Sequence, residues 1–157
     1  MSTAQLQQQL QKELELTQAL QQCLNKERQA LEQKDTDALV DNATQKGQLV
    51  QQLEAAARQR EALLSQSGFQ ANRDGMQQLL ANSNNPQLDD TWQKLSTAAE
   101  QCREENRQLG MLIQREQGNV RQAQHILQRG TSADNHSYNA SGQSSSSAAK
   151  SRNIAKA

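Results

Sequence analysis

The side chains able to do covalent or acid–base chemistry are few here, and their spacing does not assemble them. Cys23 and Cys102 stand far apart without a CxxC pair, so they read as free buried thiols and not as a zinc site or redox couple. His125 belongs to a helical stretch and His136 to the polar C-terminal segment, and no HExxH or ExxH pair places two ligands on one helix face. Glu13-Leu14-Glu15 and Glu104-Glu105 are the nearest approaches to a carboxylate pair, and each reads as a solvated helix face making i,i+4 pairs with Lys or Arg. No glycine-rich phosphate cradle occurs. The expectation is a non-catalytic protein without metal or cofactor.

The elements that would have to position these groups are helices. In a chain of 157 residues only 34% are apolar, and one Trp, one Tyr and one Phe give almost no aromatic bulk, so a thick globular core is not expected. The apolar residues instead recur in lines. Leu6, Leu10, Glu13, Thr17, Leu20, Leu24, Glu27 and Leu31 step by four and three along one face, with two glutamates as flaws in the seam. Asp35 or Thr36 then caps a second helix through Leu39, Ala43, Val50, Leu53, Ala57 and Leu64, which Ser67-Gly68 ends. A short helix over Asp74 to Ala81 precedes Pro86, and Asp89 or Asp90 caps the longest helix. Its stripe reads Trp92, Leu95, Ala99, Cys102, Asn106, Leu109, Ile113, Glu116, Val120, Ala123, Leu127. Gly130 is expected to stop it.

This pattern predicts an all-α protein: an elongated antiparallel bundle of long helices with coiled-coil-like packing over residues 1–130, and a flexible polar tail over 131–157. Seventeen basic and seventeen acidic side chains cancel and are interspersed, which argues against a nucleic-acid surface. No apolar run reaches the roughly 18–20 residues of a membrane span, and Met1 to Leu14 lacks a signal peptide's apolar stretch, so a cytoplasmic protein is expected.

Two features exceed what a plain rod needs. Leu109, Met111, Leu112, Ile113, Val120, Ile126 and Leu127 spread over more than one seam can bury, which suggests a groove for a partner helix. Tyr138 is a lone aromatic in a polar segment, the kind of residue that anchors short recognition motifs. A structural coiled-coil adaptor or spacer without a client is the alternative, and it would leave both features idle.

Taken together, Leu20, Leu24, Glu27, Ala30 and Leu31, then Asp35, Leu39, Lys46, Leu49, Leu53, Arg60 and Leu63 resemble the FlgN family of flagellar export chaperones. In the second half the resemblance rests on Asn106, Gly110, Leu112, Ile113, Val120 and Leu127, followed by Tyr138 and Gly142. It implies a protein that holds the C-terminal helices of the hook–filament junction proteins FlgK and FlgL and brings them to the flagellar type III export apparatus. Leu109, Leu112, Ile113, Val120, Ala123 and Leu127 would then face the client. The same resemblance gives Tyr138 a role in docking on the export gate, and export gate or export ATPase components are expected partners. A second copy of the chain, as a homodimer, is a further expected occupant of the stripe.

Overall fold

The structure, a computed structural model, describes the backbone of residues 3–134 and the side chains of residues 3–130. Among the described residues the regular structure is helical: α1 (Thr3–Gln33), α2 (Thr36–Gln66), α3 (Arg73–Ser83) and α4 (Pro86–Asp134). Contacts divide the chain into two units, Met1–Leu112 and Ile113–Ala157.

Each turn in the first unit follows from local chemistry. Lys34 takes a left-handed φ of 55°, its N–H donates to the Leu31 carbonyl, and the Asp35 N–H donates to Ala30. This is the Schellman pattern, which satisfies carbonyls that a helix end leaves bare. The Asp35 carboxylate then accepts from the Ala38 N–H and starts α2 two residues later, as the sequence indicates. At the far end of α2, Gly68 supplies the positive φ and Phe69 N–H reaches back to the Leu64 carbonyl. Phe69 also packs against the cluster that buries Leu64, the apolar contact that accompanies such caps. The α4 start differs from the expected Asp89 or Asp90. Asn85 accepts from the N–H groups of Gln87 and Leu88, with Pro86 at the first helical position, where its missing N–H costs nothing.

Consecutive long helices run antiparallel: Gln9 donates to the Ala56 carbonyl near one end, and Cys23 and Asn42 exchange hydrogen bonds further along. Because α3 intervenes, α4 starts beside the start of α1 and runs parallel to it within this unit. Gln7 bonds Thr91, Gln21 bonds Gln101, and Arg28 bonds Gln108. The thicker core lies where α3 joins the three long helices, with Leu6, Leu10, Leu64, Met76 and Leu88 fully buried. A thinner seam of Leu24, Cys102 and Leu109, flanked by Leu20 and Leu31, continues away from it. Each such large apolar side chain stabilises the fold by about 1.5–3 kcal/mol.

Two expectations for the stripes change. On α2 the buried line is Asn42, Ala56 and Leu64, while Ala43 is exposed and Val50 keeps 38% of its surface exposed. A purely apolar reading misses it because Asn42 is polar, yet both ends of its amide are bonded to Cys23. The glutamates of α1 are also not flaws. Glu13 is buried and meets Arg60 of α2 at 3.0 and 3.2 Å, and Glu27 meets Lys46 at 3.0 Å.

Each pair is completed by α4. The Arg60 guanidinium lies 5.2 Å from the Trp92 ring centroid, and the Lys46 ammonium also donates to Asn106 at 3.0 Å. The bundle thus holds two polar layers, each built of a carboxylate from α1, a cation from α2 and a side chain from α4. Gly130 does not stop α4, which runs on to Asp134. Gly130 is absent from the glycines with positive φ, and without that conformation a glycine weakens a helix by about 1 kcal/mol but does not end it.

Candidate functional site

Within the first unit, α4 turns Leu88, Thr91, Leu95, Ala98, Cys102 and Leu109 into the bundle. Leu109 is 2% exposed and packs with Leu24 and Cys102, so its side chain is already used by the chain's own core. Leu112 is half-buried and Met111 is exposed. Outside this seam, Glu104 accepts from Arg107 at 2.7 and 2.9 Å and from Gln108 at 3.0 Å. These hydrogen bonds hold its carboxyl pKa down to about 2 and raise that of Arg107. Glu104-Glu105 is therefore a solvated face with i,i+3 and i,i+4 support, as its sequence indicates.

In the second unit the described residues continue as helix, and from Val120 onward their apolar side chains are exposed. Ile113 and Glu116 are half-buried, Val120 is 54% exposed, Ala123 is exposed, and Ile126 and Leu127 are 63% and 69% exposed. Ile113, Glu116, Val120, Ala123 and Leu127 step by three and four, so they form one line along the helix. Large aliphatic side chains at this exposure bury less than half of their area against the chain's own residues. Tyr138 and His136 lie outside the described residues.

The groups with chemical potential are placed for structure. Both cysteines are free and buried. Cys23 donates to the Asn42 side-chain oxygen at 3.3 Å and Cys102 to the Thr17 carbonyl at 3.5 Å. Burial pushes both thiol pKa values up, which leaves little thiolate to react. No group of three or more metal-ligating side chains occurs among the described residues. An open cleft of about 900 Å³ at the joint of α3 and α4 is lined by Arg73, Asn85, Trp92 and their neighbours.

The sequence reading missed the Glu13–Arg60–Trp92 and Glu27–Lys46–Asn106 layers. Their signal was available in the spacing: fourteen residues separate Glu13 from Glu27, Lys46 from Arg60, and Trp92 from Asn106. Two heptads on each of three helices is a periodicity of charge, which a search for apolar stripes passes over.

Long helices joined by two interhelical ion pairs define an all-helical bundle protein. The FlgN protein family model matches residues 1–146, nearly the whole chain. The chain belongs to the FlgN family, whose members are flagellar export chaperones and not enzymes. Comparison with curated proteins and with solved structures gives no match. Glu27, Lys46, Arg60 and Asn106, four of the residues on which the resemblance rests, are polar side chains of the two layers. No helix among the described residues is long and apolar enough to cross a membrane.

Proposed function

We propose that this chaperone binds the C-terminal amphipathic helices of the hook–filament junction proteins FlgK and FlgL in the cytoplasm and delivers them to the type III export apparatus. The observation that carries the reading is the line Ile113, Val120, Ala123 and Leu127 on α4, half-buried at Ile113 and exposed from Val120 onward. An amphipathic client helix laid on that line would bury its own apolar face and shield it from aggregation until export. Tyr138, by family resemblance, is the residue that docks on the export gate, with export gate or export ATPase components as the receiving partners.

Calorimetry with purified FlgK and FlgL tests the client reading. Val120→Asp and Ile113→Asp chains that retain their helical circular dichroism should bind at least about tenfold more weakly, since each places a charge where an apolar contact would form. Unchanged affinity in folded variants would refute the site. Tyr138→Ala should spare client binding and lower secretion; an effect on neither removes the tyrosine from the mechanism.

A further inference from the structure

Glu116 is the one charged residue in the line Ile113, Glu116, Val120, Ala123, Leu127. It is half-buried and forms no ion pair among the described residues. The positions immediately beside the line, Gln117, Asn119 and Gln124, are uncharged, and Arg115 and Arg121 fall about 120° to either side of its centre. The first unit contains two seam carboxylates of its own. Glu13 is met at 3.0 Å by Arg60, and Glu27 at 3.0 Å by Lys46, each time by a cation reaching over from the helix packed against it. A carboxylate enclosed in an apolar seam without such a cation is strongly unfavourable, so whatever covers Glu116 has to supply one.

We propose that the partner of this surface is an amphipathic helix of another protein that carries a Lys or Arg in its apolar seam, with apolar residues three or four positions to either side, and that this cation pairs with Glu116. The inference rests on the reading of the Ile113–Leu127 line as the client site and adds the chemistry of the client. It also separates a client from a second copy. An antiparallel copy centred on Val120 brings Glu116 level with Gln124, and a parallel copy brings it against Glu116 itself, so neither offers a cation. Charge complementarity thus selects against self-pairing and for a basic seam, a polar seam residue being a common means of fixing partner and register.

The test uses the full chain and two synthetic amphipathic helical peptides of about three heptads, identical except for Lys or Glu at the central seam position. Calorimetry should show the Lys peptide binding the wild-type chain at least about tenfold more tightly than the Glu peptide, with the preference reversed in Glu116→Lys. Equal affinities, a preference that Glu116→Lys leaves unchanged, or no binding of either peptide would overturn the proposal. Val120→Asp reports on the surface independently: weakened binding of both peptides keeps the line as the site even if Glu116 proves indifferent, while undiminished binding of both removes the line itself. A wild-type dimer in light scattering that Val120→Asp dissolves would make a second copy the occupant and also overturn the proposal.

Discussion

Replacing Arg60 by Met takes away the cation that pairs, among the described residues, with a carboxylate that is 4% exposed. In the native bundle the guanidinium bonds Glu13 at 3.0 and 3.2 Å and lies over Trp92 at 5.2 Å. Removing one partner of a buried pair costs about 3–5 kcal/mol, because the remaining charge stays out of water without compensation. Loss of the cation–π contact adds about 0.5–2 kcal/mol. Against a typical total of about 5–15 kcal/mol, Arg60→Met should bring the bundle close to its folding limit. At a slope of about 2 kcal/mol per molar urea, a loss of 4 kcal/mol moves the midpoint down by about 2 M. The companion variant is Glu13→Leu, and the double variant completes the cycle. With Leu10 and Leu14 nearby in the same core, an apolar pair can replace the ionic one at little net cost, so the double variant should recover most of the stability. Urea denaturation followed by circular dichroism gives all four values. If Arg60→Met costs under about 1 kcal/mol, or if the two single changes simply add, the layer is not an enclosed ion pair and the reasoning fails.

Glu13 also sets a pH dependence. Burial raises its pKa above the ordinary 4.5, outweighing the attraction and hydrogen bonds of Arg60. A raised native pKa means that the folded state holds the proton more firmly, so this group's contribution is fully present below the unfolded value and is lost as pH rises through the native one. The stability of the wild type relative to Glu13→Gln should therefore increase as pH falls from neutrality toward 4.5, and a difference that shrinks on acidification would contradict this sign. Gly75→Ala should destabilise the protein by about 2 kcal/mol or more, since a Cβ there would collide with the backbone carbonyl of Gln70 in the loop before α3, and thermal denaturation measures it. A melting temperature equal to wild type would mean that this loop yields freely.

What the sequence made legible is what repeats locally. The four helices, the Asp35 cap and the Ser67-Gly68 stop all depend on residues within a turn or two of one another, and each stands in the structure as its spacing indicates. What it hid depends on partners dozens of residues away. Glu13 on α1 looks like an interruption until Arg60 is known to face it, and Asn42 looks misplaced until Cys23 is seen to bond both ends of its amide. Asn85 escaped notice for the opposite reason, since two aspartates a few residues on are equally good caps by type and only backbone geometry chooses. On the last helix the surplus of aliphatic residues was readable as composition. Which of them the bundle consumes was not, and Leu109 was consumed while Val120 was left bare.

The paired layers act as a key with two teeth. Apolar heptads alone would let one helix slide seven residues along another and still find leucine opposite leucine. Draw α2 along α1 by that step in one direction, and Glu13 confronts Leu53, Glu27 confronts Leu39, Lys46 confronts Leu20, and Arg60 confronts Leu6. Both ion pairs would be broken at once, and in the other direction Lys46 would stand against Lys34. The bundle can be short of aromatics and still close in a single alignment.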